Sequence, residues 1–167
     1  DQPDARSGLD AMMRKRTAGD NEHPRVTNIM MRLVVIAADF NKDIVGPMIE
    51  AARQEIEGAG AVLHELVTVP GCYEIPLVAA RCIAQPAVDG LVILGYIERG
   101  ETLHGEVMGH VVHRALVELQ FQLGKPMGLG IIGPGATPEQ AMVRKADYAR
   151  AAVRAVLRVG QLLKNDQ

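Results

Sequence analysis

Tryptophan is absent from these 167 residues, and two phenylalanines and three tyrosines are the only aromatic side chains. A site for a flat ring therefore has few stacking groups to draw on, so Phe40, Tyr73 and Tyr96, each beside a turn, stand out as candidates. Cysteine is nearly as scarce. Cys72 and Cys82 lie ten apart with no CxxC pair, which argues against a disulfide framework and against a cysteine-built zinc site. No apolar run reaches the roughly 18 residues that a membrane span needs. Charges also run through the N-terminal stretch where a signal peptide would place its apolar segment. The expectation is a cytoplasmic protein with no membrane contact. A bias of charge is missing too: 18 basic residues face 20 acidic ones, a net of -2. No overall field draws in nucleic acid, and any anion has to be held locally.

What is present fits one globular domain: 48% apolar and 23% charged residues, in a chain long enough to bury a core. Residues 1–30 are polar, mixed in charge and without periodicity. They predict a flexible extension, or a segment ordered only against a neighbouring subunit, ahead of a domain at 31–167. From Arg32 the pattern turns regular. Leu33–Ala38 is a β-branched apolar run, as in a strand covered on both faces. Asp43–Glu57 carries Ile44, Val45, Met48, Ile49, Ala52 and Ile56 at helical spacing and ends at Gly58-Ala59-Gly60.

The remaining elements follow in alternation. Ala61–Val69 reads as strand two, Glu74–Ala84 as a short helix, Gly90–Gly95 as strand three and Leu103–Leu123 as a long helix. Met127–Ile132 reads as strand four and Pro138–Leu163 as the terminal helix. Strands alternating with helices imply βαβ units, a four-stranded parallel sheet and a three-layer α/β/α sandwich. Ligands bind such sheets beyond the carboxyl ends of the strands. The turns to inspect are thus Asp39–Lys42, Val69–Glu74, Tyr96–His104 and Gly133–Thr137.

Three of these turns carry chemistry. Glu98-Arg99-Gly100-Glu101-Thr102-Leu103-His104 leads into the long helix, where free backbone N–H groups and the helix dipole make a seat for phosphate. Thr102 is placed to cap that helix, with Glu106 near capping-box spacing. His104 falls in the first turn, and imidazoles ordinarily titrate near neutral pH, which suits proton shuttling. A lone helical histidine is more often structural. His110 and His113 share the helix, but spacings of six and three do not make a metal site. The second turn, Gly133-Pro134-Gly135-Ala136-Thr137-Pro138, opens a helix bearing Arg144, whose guanidinium can clamp a phosphate bidentately. The third, Val69-Pro70-Gly71-Cys72-Tyr73-Glu74-Ile75-Pro76, allows close backbone approach to a flat polar ligand, with Glu74 free to accept hydrogen bonds.

Taken together and in this order, Asp39-Phe40-Asn41, Val69 to Pro76, Ile97 to His104, and Glu139-Gln140-Ala141-Met142-Val143-Arg144 resemble the motifs of the lumazine synthase family of riboflavin biosynthesis. Those motifs are an RFN-type turn, VPGAxEIP, VIRGxTxH and EQAxxR, and the resemblance spans about Arg32 to Leu163. It implies a flavodoxin-like fold and a pocket between neighbouring subunits of a pentamer, with no cofactor and no metal. The implied reaction condenses 5-amino-6-(D-ribitylamino)uracil with 3,4-dihydroxy-2-butanone 4-phosphate to 6,7-dimethyl-8-ribityllumazine. By position, Phe40 would stack on the pyrimidine and Asn41 would shape the same turn. Cys72, Tyr73 and Glu74 would hold the ring and ribityl chain, and Tyr96, Ile97, Glu98 and Leu129 would flank the ring. Gly100, Glu101 and Thr102 would bind the phosphate with Arg144 from an adjoining subunit, and His104 would shuttle protons.

The chain departs from the pattern in several places. Glu98 stands where an aliphatic residue is usual, Gly105 where an aromatic follows the histidine, and Leu129 where a phenylalanine packs on the ligand. Tyr148 replaces a frequent lysine, and a Gly-Lys-rich insertion that accompanies icosahedral shells is missing. The expectation is therefore a pentamer or a dimer of pentamers. The pocket departures also leave open a relative that binds a lumazine or flavin without making it. A different transferase or hydrolase acting on a phosphorylated substrate would use the same helix ends.

Overall fold

The computed structural model describes residues 30–165; the proposed extension at 1–30 falls almost wholly outside them. Its elements are β1 (Arg32–Ala38), α1 (Lys42–Gly58), β2 (Val62–Val69), α2 (Ile75–Ile83), β3 (Gly90–Glu98), α3 (His104–Leu123), β4 (Met127–Ala136) and α4 (Pro138–Asn165). The four strands form one parallel sheet in the order β2-β1-β3-β4.

A parallel strand with helices on both faces must be apolar at every position rather than at alternate ones, and β1 and β3 meet that demand. Leu33, Val35 and Ala37 of β1 and Val92, Leu94 and Tyr96 of β3 enter one core with α1 and α4. Val34, Ile36, Ala38, Leu91, Ile93 and Ile97 enter the other, with α2 and α3. The result is the expected three-layer α/β/α sandwich. Helix α1 buries Ile44, Val45, Met48, Ala51, Ala52 and Ile56 along one stripe. Pro47 inside it has no N–H for the carbonyl of Asp43, and the Lys145 ammonium of α4 lies 3.4 Å from that oxygen. Arg154 of α4 also grips Glu55 of α1 with two nitrogens, Nε at 2.6 Å and Nη2 at 3.3 Å.

Helix α4 crosses β4 closely enough that a Cβ on Gly128 would collide with the carbonyl oxygen of Ala152. Because the obstacle is backbone, it cannot rotate away. We expect Gly128→Ala to lose about 3 kcal/mol through overpacking, read as a lower urea midpoint with an unchanged slope. A midpoint equal to that of the native protein would show that the helix moves off at no cost.

Two strands run further than their sequence suggests. Strand β3 continues past Gly95 to Glu98, so Tyr96 and Ile97 are buried strand residues rather than turn residues. Strand β4 continues through the glycines and Pro134 to Ala136, which pairs with Glu98 after a register shift. Gly133-Pro134-Gly135 reads as a breaker because proline offers no N–H to a ladder. At the edge of a sheet that deficiency is tolerated, and β4 is an edge strand. The Gly133–Pro134 peptide is cis, and Gly133 has φ 98°, with a Cβ there blocked by the Ile97 carbonyl.

Candidate active site

The chain runs outward from β1 to β2 on one side and from β3 to β4 on the other, so the order reverses between β1 and β3. Crevices form at such a switch point because successive connections leave in opposite directions. A groove of about 300 Å³ opens there, lined by Phe40, Gly71, Cys72, Tyr96, Ile97, Glu98, Gly100, Thr102, His104, Gly105 and Met108. Connections after β1, β2 and β3 thus bring together residues up to 68 positions apart, from Phe40 to Met108. A wider recess of about 630 Å³ adjoins it, running from Glu98 to Leu103 and on to Glu106, His110, Pro134 and Gly135.

Phe40 sits in a single 3-10 turn, Asp39–Asn41, with its ring 72% exposed at the groove mouth. Asn41 borders a separate cleft of about 530 Å³ with Pro138 and Met142. Its Nδ2 is buried with no acceptor. A second 3-10 turn, Cys72–Glu74, supplies the opposite wall. Tyr73 and Glu74 are exposed, and the Tyr73 ring meets the His104 ring edge-on, centroids 5.9 Å apart at 64°.

The Cys72 thiol is buried and packs where a Cβ on Gly95 would stand. Burial, with the nearby Glu74 charge, pushes its pKa up to about 11. Nucleophilic cysteines have the opposite shift, so this side chain is a wall of the groove rather than a reactant. In the native protein at pH 8 we expect iodoacetamide to leave Cys72 unlabelled until urea is added, as followed by mass spectrometry; rapid native labelling would contradict this placement.

Tyr96 is held firmly. Its hydroxyl donates to the Ala136 carbonyl at 2.9 Å, tying the two extended strand ends together. Burial, then the charges of Glu98 and Glu139, raise its pKa. Glu98 is exposed, lies at the last position of β3 and lines both the groove and the adjoining recess.

Helix α3 begins at His104 with Leu103 at the N-cap, one residue later than a Thr102 cap requires. The Thr102 hydroxyl instead accepts the His104 backbone N–H at 3.4 Å, while Glu106 faces His110 at 3.9 Å. The N–H groups of the first turn of α3 that follow His104 have no carbonyl partner within the helix, as at any helix start. Gly105 has a structural reason: a Cβ there would stand 2.9 Å from the Glu98 carbonyl oxygen, so the helix start can lie against β3. Capping-box geometry appears at the other candidate helix. Thr137 Oγ1 accepts from the Gln140 N–H at 3.3 Å, and Gln140 Oε1 accepts from the Thr137 N–H at 3.1 Å.

Besides Asn41, two candidates stand apart from the groove within one chain. Arg144 is exposed on α4 and donates to the Gln140 carbonyl at 3.1 Å. Leu129, half-buried on the edge strand β4, pairs with Ile93 and packs against the α2–α3 core. Conversely, Met108 lines the groove without having been singled out. It lies one helical turn after His104, and that i+4 spacing is the signal that places both on one helix face.

The sequence profile of the family described as 6,7-dimethyl-8-ribityllumazine synthase matches residues 30–164. Among curated relatives of that name, the protein of Staphylothermus marinus is 42% identical over 130 residues, 78% of this chain and 87% of its own length. That of Pyrobaculum arsenaticum is 37% identical over 135 residues, covering 81% and 90%. That of Picrophilus torridus is 35% identical over 137 residues, covering 82% of this chain and all of its own.

Proposed function

This chain belongs to the 6,7-dimethyl-8-ribityllumazine synthase family, and we propose that the groove at the sheet's switch point is where it runs that family's condensation. The chain is a transferase joining 5-amino-6-(D-ribitylamino)uracil to 3,4-dihydroxy-2-butanone 4-phosphate, with release of phosphate and water.

In our reading the pyrimidine lies against Phe40, with Ile97 and Glu98 along its edge and the Cys72–Glu74 turn, Tyr73 included, holding its polar groups. Tyr96 stiffens that wall through its bond to Ala136. Asn41 shapes the first turn. The sugar phosphate sits on the N–H groups of Gly100, Glu101 and Thr102 and of the first turn of α3, where the dipole favours an anion. Arg144 closes over the phosphate from a neighbouring copy, and Leu129 flanks the ring from that copy too. His104, beside both ligands, moves the protons. Holding the amine near the ketone supplies much of the acceleration, because orientation removes an entropic barrier worth several orders of magnitude.

The shared site requires association, and the reading includes a pentamer or a dimer of pentamers. Its support is the outer face of α3, which leaves Val107, Val111 and Phe121 exposed at 52%, 53% and 84% beside Leu103 at 71%. We further place the enzyme in the cytoplasm, where a phosphorylated sugar substrate is formed and retained.

The observation that carries the assignment of the groove is the convergence of Phe40, the Cys72 turn and His104 on one cavity. Its test is incubation of the purified protein with both substrates, following lumazine fluorescence and phosphate release together. Equal molar yields are expected. Binding of the pyrimidine without turnover, or phosphate released without lumazine, would overturn the reading.

A further inference from the structure

Glu98 is an ionisable side chain at the end of an otherwise buried strand: Leu91–Ile97 is buried, and the next residue is a carboxylate opening into the groove. Among the described residues no hydrogen bond or ion pair engages that carboxylate. The groove it opens into is also lined by Phe40, Cys72, Ile97, Thr102, Met108 and the His104 imidazole, and the adjoining recess it shares is lined by Arg99, Glu101 and Glu106. The side chain is exposed, so the carboxylate keeps its water until a ligand covers it, and a covering ligand has to replace that hydration. That cost is offset when an N–H donor or a cation docks beside it.

The ligand that the preceding section assigns to this groove brings such a group. An amine attacking a ketone becomes cationic as the bond forms. We propose that Glu98 accepts the amine proton during condensation, working as the base opposite His104; this role rests on the functional reading above. The nitrogen lone pair forms the N–C bond, and the carbonyl π pair moves to oxygen, which takes a proton from the His104 imidazolium. The nitrogen gives one proton to the Glu98 carboxylate, leaving a neutral carbinolamine. Glu98 then returns that proton to the hydroxyl, which departs as water while the nitrogen lone pair forms C=N. The iminium N–H passes to His104, and both groups regain their starting forms.

A fixed negative charge beside the iminium also stabilises the cation where it develops, which an aliphatic side chain cannot do. Water can replace part of this role at an exposed position, so the effect is smaller than that of losing His104.

The test is steady-state kinetics of E98A and E98Q with both substrates, together with added sodium formate. The expected result is a kcat about tenfold lower in both variants, with an unchanged melting temperature and a KM for sugar phosphate within about twofold. Formate should raise the rate of E98A and leave the native enzyme unaffected, because a small carboxylate occupies the vacated space; a structural role would show no such recovery. An E98A enzyme with native kcat, or a loss confined to the pyrimidine KM, overturns the role of Glu98 alone. A native protein that forms no lumazine overturns the family reaction and this role with it.

Discussion

His104→Ala is expected to bind the pyrimidine as the native protein does and to make lumazine about a hundredfold more slowly. The side chain is exposed at the first turn of α3, and among the described residues its ring meets only the edge of Tyr73. Removing it opens no core cavity, so neither the fold nor the groove should change. What is lost is a positioned proton donor and acceptor, and such groups contribute typically 10² to 10⁴ in rate. A residue of activity is also expected, since the phosphate seat and the pyrimidine wall remain and still align the reactants. The readouts are kcat and the dissociation constant of an unreactive pyrimidine analogue. A native kcat would remove His104 from the chemistry, and a large loss of affinity with unchanged kcat would recast it as a binding residue.

Arg144→Ala should act on the other substrate. Its guanidinium lies outside the groove of its own chain and, among the described residues, holds only the Gln140 carbonyl, a bond of little consequence on an exposed helix. Charge-assisted hydrogen bonds contribute roughly 1.5 to 3 kcal/mol. Loss of a phosphate clamp should therefore raise the sugar-phosphate KM by about 10- to 100-fold and leave pyrimidine affinity within about twofold. Arg144→Lys should recover only part, because an ammonium cannot make the paired contact. Mixing His104→Ala and Arg144→Ala subunits should restore activity in some sites, because each supplies what the other lacks. No recovery after verified subunit exchange would place the arginine and the histidine in the same chain's site, contrary to the proposal.

The alternation of elements was legible because parallel strands covered on both faces must be apolar throughout, and β1 and β3 are. Helix α1 was legible from its single buried stripe and its glycine stop. The limits of β3 and β4 were not, since Gly133-Pro134-Gly135 carries every local mark of a loop. What extends those strands is non-local: the Glu98–Ala136 pairing and the Tyr96 hydroxyl on the Ala136 carbonyl join residues about 40 apart. The groove itself was anticipated as a set of turns, because strand ends in such a sheet open onto one crevice. Helix starts are less legible. The cap assigned to Thr102 belongs one residue later, because the loop before α3 needs that extra residue to lay Gly105 against Glu98. The reciprocal cap at Thr137 and Gln140 follows the familiar spacing and was available to sequence. Met108 was hidden among helix-spaced apolar residues that read equally well as core.

The proline in β4 has a consequence for how molecules of this protein meet. An open sheet margin is a template on which foreign strands can add, the first step toward fibrils. Here one margin lacks an N–H at Pro134, and the other, β2, exposes the charge of Glu65 in mid-strand. Both borders thus discourage backbone-to-backbone zippering, and growth of one sheet into that of another copy is disfavoured at either margin.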